Sequence, residues 1–251
     1  MNVFLINLDK EKDRLAAADA QLKQLGVKYE RIPAVYGKNL PQAVQDKAVD
    51  RFRWWCVVGR PCRPGEIGCA LSHYSIYRRV VANGGREPVC ILEDDVLLDS
   101  GFKDVLEYVG ANIDCNRPQV VLLSNHCKKK HSNQSTISAR NAPAVRIVKS
   151  RSDMCTEGYV ITPLAAKALL KANMPMKCPC DWWGRWRRYG IIELYHAFPT
   201  VCSQERRKYS SGISSTKGLV VANLPFYGLV VHKSKRIVGL FLDRILSMFS
   251  A

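Results

Sequence analysis

At Val89-Cys90-Ile91-Leu92-Glu93-Asp94-Asp95-Val96 an apolar run ends abruptly in three consecutive carboxylates. A run of that length bounded by polar residues reads as a buried strand. Acids just past it would sit at the strand's carboxyl end, where open α/β sheets place their ligand crevice. Adjacent carboxylates repel one another unless a cation or strong donors hold them. An all-oxygen ligand set suits hard divalent ions such as Mg²⁺ or Mn²⁺, which typically also bind substrate phosphates. The same residues also fit a strand that simply meets an acidic, solvated turn.

The elements around this segment alternate. Val3 to Leu8 reads as a strand, and Lys10 to Gly26 as a helix with Leu15, Ala18, Leu22 and Leu25 on one stripe and Gly26 as its C-terminal stop. Val27 to Ala34 follows as a second strand, the opening of a βαβ unit. Residues 36 to 65 read as irregular. A helix is predicted from Glu66 to about Asn83, stopped by Gly84-Gly85, and another from Phe102 to Val109. Gln119 to Ser124 and Glu157 to Thr162 read as strands, and Pro163 to Asn173 as a helix with proline in its first turn. The fold class is therefore α/β, with a mostly parallel central sheet flanked by helices in residues 1–225. In the remaining tail, 226–251, Val238, Phe241, Leu242, Ile245 and Phe249 share one helical face. That pattern fits a basic amphipathic membrane-surface helix, or a terminal helix docked on the core.

Charge narrows the partners. Lys and Arg number 38 against 22 Asp and Glu, a formal +16 over 251 residues, which favours anionic partners. The excess is concentrated late, at Lys128-Lys129-Lys130, Arg185 with Arg187-Arg188, Arg206-Arg207-Lys208 and Lys233-Ser234-Lys235-Arg236. No nucleic-acid-binding motif accompanies it. Of ten cysteines, Cys69, Cys90 and Cys155 sit in apolar contexts typical of buried free thiols. The N-terminus reads as a strand, not a signal peptide, and no apolar stretch reaches the roughly 18 residues a membrane span needs. The expectation is a reduced, cytosolic chain.

Four blocks in order make the pattern specific: Phe4-Leu5-Ile6-Asn7-Leu8-Asp9 with Arg14; Gly65-Glu66-Ile67-Gly68-Cys69-Ala70-Leu71-Ser72-His73; Ile91-Leu92-Glu93-Asp94-Asp95-Val96; and Thr156-Glu157-Gly158-Tyr159-Val160-Ile161 followed by Cys180-Asp181-Trp182-Trp183. Together they resemble glycosyltransferase family 25, the bacterial lipooligosaccharide galactosyl- and glucosyltransferases, with collagen galactosyltransferases as distant relatives. The resemblance implies a GT-A-like nucleotide-binding domain and inverting transfer of a hexose from a UDP-sugar, β-galactosyl transfer foremost. The implied acceptor is a phosphorylated lipooligosaccharide core, at the cytoplasmic face of the bacterial inner membrane.

It also assigns residues. Asn7, Asp9 and Arg14 would line the nucleotide pocket, with Arg14 pairing the diphosphate or Asp9, and Asp9 alternatively capping the helix. Glu93, Asp94 and Asp95 resemble the Asp-x-Asp signature with Glu in the first place; Asp95 would hold Mn²⁺ or Mg²⁺, and Glu93 or Asp94 would face the ribose or sugar. Asp181 would be the general base, with Trp182, Trp183 and Trp186 stacking on sugar and desolvating it. It also fits the N-cap of a helix bearing core tryptophans. Glu205 and Asp153 are the reserve bases. Glu66, Ser72 and His73 would brace the acidic loop, and His232 matches a late metal-ligating histidine of some GT-A enzymes.

The rivals are a Mg²⁺-dependent nucleotidyl- or phosphotransferase and a basic nucleic-acid-binding module. The first lacks a glycine-rich phosphate loop or Walker lysine, and the second leaves the acidic strand end unexplained. The groups His126-Cys127…His131 and Cys178-Pro179-Cys180 do not space like paired zinc knuckles. Asn133-Gln134-Ser135 fits a glycosylation sequon that a cytosolic chain would not use.

Overall fold

The computed structural model describes residues 1–124, 136–137, 145–151, 154 and 156–205. The amphipathic tail, His232, Asp153, the His126/Cys127/His131 group, the Asn133 sequon and the late Lys/Arg clusters except Arg185 with Arg187-Arg188 lie outside them.

The first half alternates as the pattern predicts. Strand β1 (Asn2–Asn7) leads to α1 (Lys12–Gln24) and β2 (Glu30–Pro33). Gly26, at φ +63°, lets the chain leave α1, with Val27 N donating to Leu22 O and Gly26 N to Lys23 O, a Schellman close. Residues 36–65 are not irregular: they hold a 3₁₀ turn (Gly37–Asn39), α2 (Gln42–Ala48) and α3 (Arg51–Val58). Asp50 caps α3 by accepting from Arg53 N, and Gly59 ends it at φ +80°. The long α4 (Pro64–Ala82) starts two residues before Glu66, which accepts from Arg63 N instead of opening the helix. Then come β3 (Val89–Glu93), β4 (Val96–Leu98), α5 (Phe102–Asn112), β5 (Gln119–Leu122), β6 (Thr136–Ile137) and β7 (Arg146–Lys149). The described chain closes with β8 (Gly158–Ile161), α6 (Pro163–Asn173), α7 (Trp183–Arg188), β9 (Glu193–Phe198) and β10 (Cys202–Gln204). Sequence reading anticipated β8 and α6, held α7 as the alternative helix after Asp181, and missed both final strands.

Eight strands form one sheet in the order β2-β1-β3-β8-β5-β9-β7-β6. Six share one direction, and β7 and β8 run against it. This is the expected mixed α/β architecture with a mostly parallel central sheet. Strand β1 is buried on both faces: Phe4 and Ile6 join the layer packed with α4 and α6, Val3 and Leu5 the layer packed with α1 and α5. That two-sided burial explains the near-continuous apolar run of such strands. Because β1 has β2 on one side and β3 on the other, successive crossovers leave it in opposite directions. A topological switch point therefore lies between the carboxyl ends of β1 and β3.

One close approach fixes α4 in place. A Cβ on Gly68 would lie 2.4 Å from Val35 O, and one on Gly37 would lie 1.7 Å from Pro64 O. Backbone meets backbone here, so neither neighbour can rotate away. Gly68→Ala is expected to lower stability by about 1–3 kcal/mol, seen as an earlier urea midpoint with an unchanged slope.

Candidate active site

At the switch point the three acids are each held by a different element. Glu93, the last residue of β3, accepts from Thr156 Oγ1, and its Oε1 lies 3.1 Å from His73 Nε2. Asp94 turns the other way: its Oδ2 accepts from Asn7 Nδ2 at 2.7 Å and its Oδ1 lies 3.5 Å from Arg14. Asp95 accepts from Gln204 Nε2 at 2.8 Å, while Glu205 N donates to its backbone carbonyl. The other oxygen, Asp95 Oδ1, is buried and accepts no hydrogen bond from the described residues. Burial and the neighbouring Glu93 charge push Asp95 up to about 6. Burial also raises Asp94, against the pull of Asn7 and Arg14.

A buried carboxylate oxygen lacking a donor is the kind of atom a hard cation satisfies. Mn²⁺ or Mg²⁺ fits Asp95 on that ground.

The Asn7 amide is occupied within the protein. Its nitrogen donates to Asp94 and to Glu11 O at 3.0 Å, and its oxygen accepts from Arg31 Nε at 3.0 Å. Asn7 is buried and ties the acidic turn to the ends of β1, α1 and β2. Asp9 is exposed and pairs with Arg31; it neither caps α1, whose N-cap is Glu11, nor meets Arg14, which faces Asp94 and Glu11.

Across the crevice, α4 buries His73 against Glu93. Burial opposes the imidazolium, but hydrogen bonds with Cys69 and Glu93 outweigh it and raise His73 to about 9. Its Nδ1 lies 2.8 Å from the Tyr159 hydroxyl, which lies 2.7 Å from that of Tyr77. His73 thus reaches Glu93 at the acidic strand end. Ser72 and Glu66 do not: Ser72 accepts from Val35 N and donates to Gly68 O, and Glu66 takes a two-pronged contact from Arg60.

Asp181 precedes α7 without capping it, since Trp182 holds that position. It is partly buried, and burial together with the charge of Glu93 raises it to about 6. The tryptophans divide: Trp183 and Trp186 are core residues, Trp183 against Tyr159 with ring centroids 5.0 Å apart. Only Trp182 keeps partial exposure, so stacking by Trp183 and Trp186 is ruled out by packing. Sequence reading missed Thr156, Tyr159, Cys69, Cys180 and Gln204 as neighbours of the acids. Four of these lie inside the quoted blocks; Gln204 carried no signal.

Residues 1–183 match the family model described as "Glycosyltransferase family 25 (LPS biosynthesis protein)". The chain belongs to glycosyltransferase family 25. Its architecture accords with a GT-A-like glycosyltransferase domain. Among the relatives of this family 25 chain are procollagen galactosyltransferase 1-B of Xenopus laevis and procollagen galactosyltransferase 2 of Homo sapiens. Each is 30% identical over 175 residues and 68% of this chain, but over only 28% and 27% of the respective relative. A human protein named inactive glycosyltransferase 25 family member 3 is 34% identical over 178 residues, 70% of this chain and 29% of its own. The matched region thus spans under a third of these relatives. They are animal proteins, whereas the sequence resemblance put bacterial enzymes first.

Asn7→Ala is expected to lower stability by about 1–3 kcal/mol, because Asp94 and Glu11 O lose a buried donor. The lost bond serves the charged carboxylate, so the deficit should be full at neutral pH and shrink in acid as Asp94 protonates. Urea unfolding at the two pH values checks both points.

Proposed function

We propose that this chain transfers a hexose, galactose foremost, from a UDP-sugar to a glycan hydroxyl with inversion at the anomeric carbon. The observation that carries the reading is Asp95: a buried carboxylate oxygen without a donor among the described residues, at the sheet's switch point. Family membership alone would not suffice, because a relative named inactive matches over a similar span.

In this reading Asp95, with Glu93 or Asp94 beside it, holds Mn²⁺ or Mg²⁺, which when bound neutralises the charge gathering on the departing diphosphate. Arg14, across from Asp94, adds positive charge on the same side. Asp181 takes the proton from the acceptor hydroxyl. Its raised value suits a base at neutral pH, basic enough to accept a proton and still ionised. Glu205 is the reserve, since it adjoins the acids through its backbone. The formal +16 supports a phosphorylated glycolipid acceptor held by basic surface, at a cytoplasmic membrane face, with residues 1–225 as the catalytic unit and 226–251 as a surface helix. A second reading, a polypeptide acceptor, is favoured by the names of the procollagen galactosyltransferases.

UDP release from a panel of UDP-sugars, with and without Mn²⁺ and with either acceptor class, tests this. Turnover of no UDP-sugar, together with no UDP binding, would refute the transferase reading. Asp95→Ala is expected to abolish metal-dependent UDP binding. Asp181→Asn should keep UDP binding and cut transfer about 10²–10⁴-fold. The base must be deprotonated, so kcat/KM of the unmodified enzyme should fall as pH drops through about 6 and level off above it; a profile without that limb removes Asp181 from the role.

A further inference from the structure

Beside the oxygen-only cluster stands a second set of side chains with different chemistry. Cys69 and His73 are one turn apart on α4, so they share a face. Cys69 Sγ, a His73 ring nitrogen and a Glu93 carboxylate oxygen all lie within 4.8 Å of one another. Cys180, from the segment before α7, brings its Sγ to 3.8 Å from Cys69 Sγ.

These separations resemble the edges of a metal tetrahedron. With Zn–S bonds of about 2.3 Å the sulfur–sulfur edge is about 3.8 Å, and with Zn–N and Zn–O bonds near 2.1 Å the nitrogen–oxygen edge is about 3.4 Å. The His73 Nε2 to Glu93 Oε1 distance is 3.1 Å. The outer contacts also match: Tyr159 engages His73 Nδ1, which orients the ring and leaves Nε2 facing the cluster. Cys69 and Glu93 are partly exposed, giving an ion a way in.

We propose that Cys69, His73 and Glu93 form a binding site for a zinc-class divalent ion, with Cys180 in the fourth position. Thiolate and imidazole select a borderline-soft ion, whereas the neighbouring Asp94 and Asp95 offer only oxygen and select a hard one. The two sites abut at Glu93. An ion in the sulfur site joins α4 to β3 and, through Cys180, to the segment that carries Asp181. This inference stands apart from the transferase reading, because its readout is metal binding.

The test uses the whole chain, reduced with a thiol-free reagent, stripped of metal and titrated with Co²⁺. The expected spectrum has the d–d bands of tetrahedral Co²⁺ and a thiolate-to-cobalt charge-transfer band. Equimolar Zn²⁺ should bleach both, while excess Mg²⁺ or Mn²⁺ should not. Cys69→Ser should reduce the sulfur band, the double variant Cys69→Ser/Cys180→Ser should remove it, and His73→Gln should weaken Co²⁺ binding by more than the roughly tenfold that loss of an outer partner costs. Cys180→Ser should reduce the sulfur band without abolishing it, a separate readout should Cys69→Ser fail to fold. Cys127→Ser, between His126 and His131 in sequence, should change nothing. No sulfur band in the reduced wild type, an unchanged band in folded Cys69→Ser, or a band lost in Cys127→Ser would each overturn the proposal.

Discussion

Three carboxylates in a row cannot share one environment; their mutual repulsion is the constraint around which this end of the sheet is built. The fold separates them by assigning partners from different directions. Glu93 goes to α4 and the segment before β8, Asp94 to the ends of β1 and α1, and Asp95 to β10. Two of these assignments, those of Asp94 and Asp95, leave less than full neutralisation. Asp94 and Asp95 both stand above the ordinary carboxylate range, so the cluster retains a demand for positive charge.

Topology puts that demand where a ligand can meet it. With β2 and β3 on opposite flanks of β1, α1 covers one face of the sheet and α4 the other, and a crevice opens between their connections. Asn7 closes the floor of the crevice, since one buried amide ties Asp94, Arg31 and the start of α1 together. The close contact of Gly68 with Val35 sets the height of α4, and with it the reach of His73 toward Glu93.

What the sequence disclosed follows from pattern strength. The acidic strand end, the opening βαβ unit and α6 behind Pro163 each combine periodicity with a terminal signal, and all three stand in the structure. Helix α3 was missed although its signals were present: Asp50 caps it and Gly59 ends it. Strand β9 was less legible, because His196 interrupts its apolar residues and only the surrounding sheet buries it. Site contacts were the least accessible. The tryptophan run after Asp181 fitted a sugar platform or a helix bearing core tryptophans, and Trp183 and Trp186 face inward, a choice set by Tyr159 and its neighbours far away in sequence.

The family match ends at residue 183, but the acid cluster does not. Strand β10 pairs antiparallel with β4 immediately after the acidic turn, and its last residue, Gln204, reaches back to Asp95. A fragment cut at the family boundary would leave β4 as a bare edge and Asp95 without its amide donor. The smallest unit able to hold the acids in place is therefore longer than the segment by which relatives are recognised. Grafting this site onto another scaffold would require carrying β10 along, although nothing in its Cys-Ser-Gln sequence advertises the role.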